Sequence, residues 1–275
     1  MTDLTDLTGN TGKSRMRGLD RAFEILDFLG QKRAAMRPNE IAAQIGAPRS
    51  SVYELVNLML RNGVLEYRGD DGQVFLGRKL YFLGVAYNQE FDLMRECRSV
   101  LEALAEKTRE TAQLCVLDGN KYTVAMMKEG VRPFRISSDI GERVPIPWTA
   151  SGRLLAAPLT DDEIKAFIPR EDFRLPNGEW LAPQVFIAEV RQAAEAGFFT
   201  FRSIVDSFTQ CFAVPVMKQN GECLATLCLV TPREDGLKNR DVYLECLLAA
   251  AQDLSARIGD DHKVLSANQY GKMIS

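Results

Sequence analysis

The chain reads as an α+β protein of two domains. A small helical front domain closes with a β-hairpin, and a larger domain follows in which helices flank a mainly antiparallel sheet. Three observations predict this. At 275 residues the chain is long enough to bury two cores. Its apolar residues recur at helical spacing through about residue 61, alternate like strands over 64–76, and later mix helical and strand-like runs. Its charge also changes sign: Lys13 to Phe82 carries 12 Lys and Arg against 8 Asp and Glu, whereas the chain from Leu83 onward carries 22 against 27.

The expected order begins with a polar, low-complexity tail at 1–14, taken as disordered. A front domain at 15–77 follows, opened by the basic stretch Lys13, Arg15 and Arg17, which could cross a phosphate backbone, enter a minor groove, or simply lead into a helix as a solvated segment. The first helix is expected over Leu19–Leu29, with Leu19, Phe23, Ile25 and Leu26 inward. Ile41 to Gly63 then reads as two helices around a tight turn. Ile41, Ala42 and Ile45 form one apolar stripe, and Gly46 supplies the left-handed conformation that the turn requires. Pro48 suits the first turn of the second helix. Val52, Leu55, Val56 and Met59 pack back, which leaves Arg49, Ser50, Tyr53, Asn57 and Arg61 outward. This is a helix-turn-helix with a polar second helix, the arrangement that enters a major groove, although an ordinary helical hairpin has a similar pattern.

Val64–Arg68 and Gln73–Leu76, joined by Gly69-Asp70-Asp71-Gly72, form a β-hairpin signature placed as a wing. The segments RGLDRAFEILDFL, PRSSVYELVNLMLRNGVLE and FLGRKLYFLG resemble the winged DNA-binding domain of the IclR family of bacterial transcription regulators. ERVPIPWTASGRLLAAPL, AGFFTF and CFAVPVMKQNGECLATLCLVTP extend the resemblance over nearly the whole chain from Arg17 to Ile258. It implies a linker helix that helps form a dimer, and a GAF-like second domain that binds a small effector in a cleft at one face of its sheet.

The linker is placed at 78–93, where Leu80, Tyr81, Leu83, Val85 and Tyr87 must bury themselves, within the chain or against a second copy. The second domain is placed at 94–260, with a frayed tail at 261–275. Its expected elements are an amphipathic helix over Arg95–Arg109; strands at 113–117, 122–127, 134–138, 198–204, 212–216 and 223–230; and helices at 149–157, after the Thr160/Glu163 capping box, and at 185–196. One long helix is expected over 237–258. Cys223 and Cys228, five residues apart on one strand, should face opposite ways.

The sequence lacks the chemistry of several function classes. The chain has one histidine and neither a CxxC pair, a Walker loop nor a dinucleotide fingerprint, so no catalytic residue, metal ligand or cofactor is assigned. The N-terminus has no apolar signal core and no run is long enough to span a membrane, which leads us to expect a cytoplasmic protein. The leading expectation is a ligand-responsive regulator that binds double-stranded operator DNA as a homodimer or dimer of dimers. Ser50 and Ser51 would hold phosphates, Arg49, Tyr53 and Asn57 would reach base edges, and Arg61, Arg17 and the wing residue Arg68 would add contacts. A winged-helix protein-interaction module with a sensory domain and no DNA target is the alternative. An enzyme would need a general base, for which only Asp206 offers itself.

Trp148, Thr149, Ala150 and Ser151 stand at a helix start, where free N–H groups favour an anion. The family resemblance carries the effector pocket onto Ala150, Ser151, Phe201, Cys211, Cys228 and Val230. Phe201 stands where some members that bind small oxo-acids have a carboxylate, and Cys228 and Val230 where they have serines. The implied ligand is an organic acid with an aromatic or larger apolar body; core packing of Trp148 and Phe201 without any ligand contact is the other reading.

Overall fold

The computed structural model describes residues 8–90, 92–131, 140–204 and 208–258, and the chain divides into two compact units that meet at Glu90/Phe91. The first unit contains α1 (Thr8–Lys32), α2 (Pro38–Gln44), α3 (Arg49–Arg61), the hairpin β1 (Leu65–Arg68) and β2 (Gln73–Leu76), and α4 (Arg78–Glu90). Its core joins Ile25 and Leu29 of α1 to Ile41 and Ala42 of α2, Val52, Val56 and Met59 of α3, and Leu65 and Val74 of the hairpin. The i, i+4, i+7 spacing of Val52, Val56 and Met59 gives α3 one buried stripe, as its sequence leads one to expect.

Three details differ from expectation. Helix α1 begins at Thr8, so residues 8–14, expected to be disordered, are helical. Once the Ile25–Leu29 segment is packed, extension adds a hydrogen bond per residue without a new nucleation cost. Leu19 and Phe23 point outward, 59% and 56% exposed, while Ile25 and Leu29 turn inward. At 3.6 residues per turn Phe23 lies about 160° round the helix from Ile25, so the two cannot share a face. Pro48 is the N-cap of α3, one residue before the helix, and the left-handed turn at Gly46 has φ +65°.

The hairpin pairs Leu65 with Leu76 through to Arg68 with Gln73, with Gly69 and Gly72 at φ +73° and +75° in its turn. Arg37, just before α2, donates its Nε hydrogen to the Asp71 carbonyl at 3.1 Å, which ties the hairpin tip to the helix-turn-helix.

The second unit opens with α5 (Asp92–Thr108) and builds one six-stranded sheet in the order β5-β4-β3-β8-β7-β6, every neighbouring pair antiparallel. The strands are β3 (Thr111–Asp118), β4 (Lys121–Lys128), β5 (Arg143–Pro145), β6 (Phe199–Arg202), β7 (Thr209–Met217) and β8 (Cys223–Pro232). Helices α6 (Ala150–Leu155), α7 (Asp161–Phe167) and α8 (Pro183–Ala196) precede β6, and α9 (Arg233–Lys238) and α10 (Arg240–Arg257) follow β8. Alternation along the strands divides the interior. Ala112, Leu114, Val214, Leu227 and Leu229 face α5 and α10, whereas Cys115, Leu117, Ala213, Cys228 and Val230 face α6 and α8.

The expected strand at 134–138 lies outside the described residues, and the sixth strand is β5, which pairs with β4. Helix α6 ends at Leu155, short of Ala157. The long final helix is two, broken at Asn239, whose short polar side chain suits a helix boundary better than an interior. Cys223 and Cys228 face the same side, against expectation. Val216 pairs with Ala225 but Met217 with Cys223, so Leu224 is an extra residue that shifts the alternation by one.

Candidate functional site

The first candidate surface is the outer face of α3. Burial of Val52, Val56 and Met59 turns Arg49, Ser50, Tyr53, Asn57 and Arg61 to solvent, with Ser51 half-buried at the helix start. The structure thus brings these residues onto one exposed face. Arg49 and Arg61 make no ion pair among the described residues, which leaves their guanidinium groups available to a polyanion. Arg68 lies on β1 and is exposed, while the side chain of Arg17 lies outside the described residues. Beside Arg68, the Arg78 guanidinium hydrogen-bonds Glu66 at 2.7 Å and holds that carboxyl below its ordinary range. Gly77 fixes this corner: a Cβ there would stand 2.4 Å from the Gly63 carbonyl oxygen, so the wing returns tightly against the end of α3.

The second candidate site is the face of the sheet beneath α6. Ala150, Phe201, Cys211, Cys228 and Val230 all belong to one apolar cluster, together with Cys115, Tyr122, Leu154 and Phe186. Ser151, also buried, has a hydroxyl without an oxygen or nitrogen partner. Hydrogen bonding to Cys211 and burial push the Cys228 thiol well above its ordinary pKa, and burial pushes Cys115 up to about 11, so these thiols are neutral near pH 7.

Trp148 and Thr149 sit differently from the rest. The indole Nε1 of Trp148 donates to the carbonyls of Asp172 and Arg174, at 2.9 and 3.1 Å, which anchors the ring to the loop before α8. Thr149 spends its hydroxyl on capping α6, accepting from the Gly152 N–H at 2.9 Å. With a cap in place and only six residues, α6 offers less to an anion than the sequence suggests. Gly152 is required by proximity: a Cβ would lie 2.0 Å from the Ile146 carbonyl oxygen. Asp206, the one carboxylate considered for an enzyme, lies outside the described residues.

The sequence reading passes over four residues of this site. Arg153, 1% exposed, donates through Nε and Nη2 to Glu189 of α8, and through Nη1 to the carbonyls of Pro147 and Thr149. Its guanidinium lies over the Phe201, Phe186 and Phe199 rings at 4.4, 5.1 and 5.3 Å. Burial lowers its pKa and the Glu189 carboxylate opposes that shift. Gln113, Thr226 and Tyr122 are the other three, buried on the face of β3, β8 and β4 that turns toward α6 and α8. Polar residues in the inward phase of otherwise apolar strands are the signal that could have found Gln113 and Thr226.

No helix among the described residues is long and apolar enough to cross a membrane, and no group of three or more His, Cys, Asp or Glu among them could hold a metal ion.

Residues 18–69 match the family profile described as the IclR helix-turn-helix domain, and residues 85–256 that described as the C-terminal region of bacterial transcriptional regulator IclR. The HTH-type transcriptional regulator XynR of Escherichia coli is 25% identical over 247 residues, covering 89% of this chain and 98% of that protein. TtgV of Pseudomonas putida, also an HTH-type transcriptional regulator, is 26% identical over 263 residues, covering 91% and 95%. Among solved structures, an IclR homolog from Microbacterium hydrocarbonoxydans complexed with 4-hydroxybenzoate superposes with a TM-score of 0.74 at 22% identity, covering 87% of this chain and 98% of that one. The Thermotoga maritima IclR gives 0.68 at 24% identity, over 89% and 99%. At these identities the structural likeness speaks to the fold.

Proposed function

This chain belongs to the IclR family of bacterial transcriptional regulators, and we propose that it binds operator DNA through α3 under the control of a small organic acid with an aromatic body. The observation that carries the DNA half is the outward face of α3, where Arg49, Ser50, Tyr53, Asn57 and Arg61 stand exposed beside a wing. Arg pairs with guanine and Asn with adenine in the major groove, and the serine hydroxyls at the helix start suit phosphates. Arg68 on the wing would reach the neighbouring backbone.

The effector half rests on the cleft under α6. Supporting it, Ala150, Phe201, Cys211, Cys228 and Val230 share one apolar cluster, Ser151 is buried on the same helix as Ala150, and the Phe199 ring lies beside Phe201. Rings and thiols favour an apolar ligand body over a very small oxo-acid. A homologue of this fold solved with 4-hydroxybenzoate supports the same ligand class. Calorimetry against a panel of aromatic and aliphatic acids tests it. Tight binding of glyoxylate or pyruvate with no aromatic acid bound would overturn it.

The operator-bound form is a homodimer or dimer of dimers. Leu19 and Phe23 of α1 and Tyr81, Phe82, Leu83 and Tyr87 of α4 are large apolar side chains exposed in the first unit. Such surface marks an interface with a second copy, and two-fold pairing lets the protein read two half-sites. A monomer by light scattering at micromolar concentration would contradict it.

A further inference from the structure

The floor beneath α6 holds polar groups that the packing of the cleft does not use. Cys115 on β3 and Thr226 on β8 are register partners, so their side chains leave the sheet on the same face. Helix α6 packs on β3, β7 and β8, and it brings Ser151 close enough to the Cys115 thiol to oppose the rise in its pKa, as Tyr122 and Thr226 also do. The Tyr122 hydroxyl lies 3.1 Å from the Cys115 sulfur. All four residues are buried, and the hydroxyls of Ser151 and Thr226 meet no oxygen or nitrogen partner, only thiols, which are weak hydrogen-bonding groups. Gln113 lies two residues before Cys115 on the same face, and its amide nitrogen donates only to the Met127 sulfur, a weak acceptor, at 3.6 Å.

A buried hydroxyl whose one polar neighbour is a thiol is poorly satisfied, and two of them around the same thiol are not what packing alone selects. The chemistry of the group also restricts what it can meet. Every polar atom of this floor is neutral, because burial holds Cys115 and Tyr122 protonated and hydrogen bonding to Cys211 together with burial does so for Cys228. The one cation that we place in this site, Arg153, is already paired with Glu189, so a carboxylate placed here would be a buried charge without a free counter-charge, which is strongly unfavourable. A hydroxyl both donates and accepts, as Ser, Thr and Tyr do, and so can satisfy more than one of them at once.

We infer that Tyr122, Ser151 and Thr226 are specificity-determining residues of the cleft, and that they take an uncharged ring hydroxyl at the end of the effector remote from its carboxylate. This rests on the aromatic-acid reading of the cleft and adds an orientation and a substituent to it. The Cys115 thiol sits among the three hydroxyls and fixes the Tyr122 ring.

The test titrates the full-length protein and its Ser151→Ala, Thr226→Val and Tyr122→Phe variants by calorimetry with 4-hydroxybenzoate and with 4-methylbenzoate, which is matched in shape but lacks the hydroxyl. The melting temperatures of the wild-type protein and of the variants are also followed without ligand. The wild-type protein should prefer the hydroxylated acid roughly tenfold, and Ser151→Ala and Thr226→Val should bring that ratio close to one. Without ligand, the same two variants should melt at or above the wild-type temperature, because each removes a buried hydroxyl that the fold leaves without an oxygen or nitrogen partner. An unchanged preference in both variants overturns the inference, and so does a melting temperature lowered by several degrees, which would make these hydroxyls part of the fold. Failure of wild-type protein to bind either acid is a failure of the aromatic-acid reading instead; the melting temperatures then decide whether the floor faces a ligand.

Discussion

The Arg153 guanidinium carbon lies 4.4 Å from the centre of the Phe201 ring, inside a unit where Arg153 is 1% exposed. A desolvated cation over an aromatic face is worth about 2 kcal/mol, so Phe201 holds the packing beneath α6 whether or not it also meets a ligand. Phe201→Ala should therefore lower the stability of the C-terminal unit by about 2 kcal/mol. Phe201→Asp should lose less, because a carboxylate there would meet the guanidinium, yet should weaken an aromatic acid at least tenfold. Denaturant unfolding read by tryptophan fluorescence follows this unit alone, since Trp148 and Trp180 both lie in it. Equal stability losses in the two variants would contradict the contact.

Arg153→Met keeps the length of the side chain and removes its charge. Glu189 and the carbonyls of Pro147 and Thr149 then lose their donors. Breaking a buried pair on one side costs about 3–5 kcal/mol, and the same fluorescence transition should shift by that much. Arg153→Lys should recover only part, because an ammonium cannot reach both partners with one planar fork. Full recovery by lysine would show that charge alone matters.

Gly152→Ala should disable the effector cleft without touching the DNA-binding unit. The added methyl must push α6 away from the Ile146 carbonyl, which a Cβ would approach to 2.0 Å. Ligand binding should fall by more than tenfold, while binding to non-specific DNA stays at the wild-type level. Unaltered ligand binding would mean that α6 moves without consequence for the cleft.

The thiols give a prediction in pH. Burial pushes Cys97 and Cys223 up to about 12 and Cys115 to about 11. These groups are raised in the folded state, so their contribution to stability is complete below the ordinary thiol pKa of ~8.5. It is lost as pH rises from there toward 11–12, where only the unfolded chain ionises. Stability should hold flat to about pH 8 and then fall. Alkylation at pH 8 should modify the half-buried Cys211 first and leave Cys97, Cys115 and Cys223 untouched until the chain unfolds. Mass spectrometry of the alkylated native protein checks the order.

What could be read from the sequence was local. Val52, Val56 and Met59 recur at helical spacing within one helix, Gly46 marks its turn, and Thr160 with Glu163 caps α7 as the pattern requires. What could not be read depends on partners distant in the chain. Leu19 and Phe23 look like core until Ile25 and Leu29 claim the inward face. Cys223 joins Cys228 only because Leu224 bulges against β7. Arg153 looks like a surface charge, and its burial is made possible by Glu189, 36 residues on, and by rings from α8 and β6. Five of the six residues taken from the family pattern, Ala150, Phe201, Cys211, Cys228 and Val230, share one packed cluster, whereas the Trp148 indole N–H donates to the carbonyls of Asp172 and Arg174.

On the DNA side, Asn57→Ala and Arg49→Ala should each weaken specific operator binding by about 1–3 kcal/mol, the cost of one lost base contact. Binding to random DNA should change far less. Equal losses on both would place these side chains on phosphates.

Whether α3 reads DNA under effector control is decided by fluorescence anisotropy of one labelled fragment. The fragment is selected from genomic DNA by the protein itself and titrated at several salt concentrations, with and without a saturating aromatic acid found by calorimetry. Nanomolar affinity should fall steeply with salt as phosphate contacts release counterions, and should shift at least tenfold when the acid is added. Affinity no better than for random DNA, or a complex indifferent to both salt and acid, would contradict effector-controlled reading of DNA by α3.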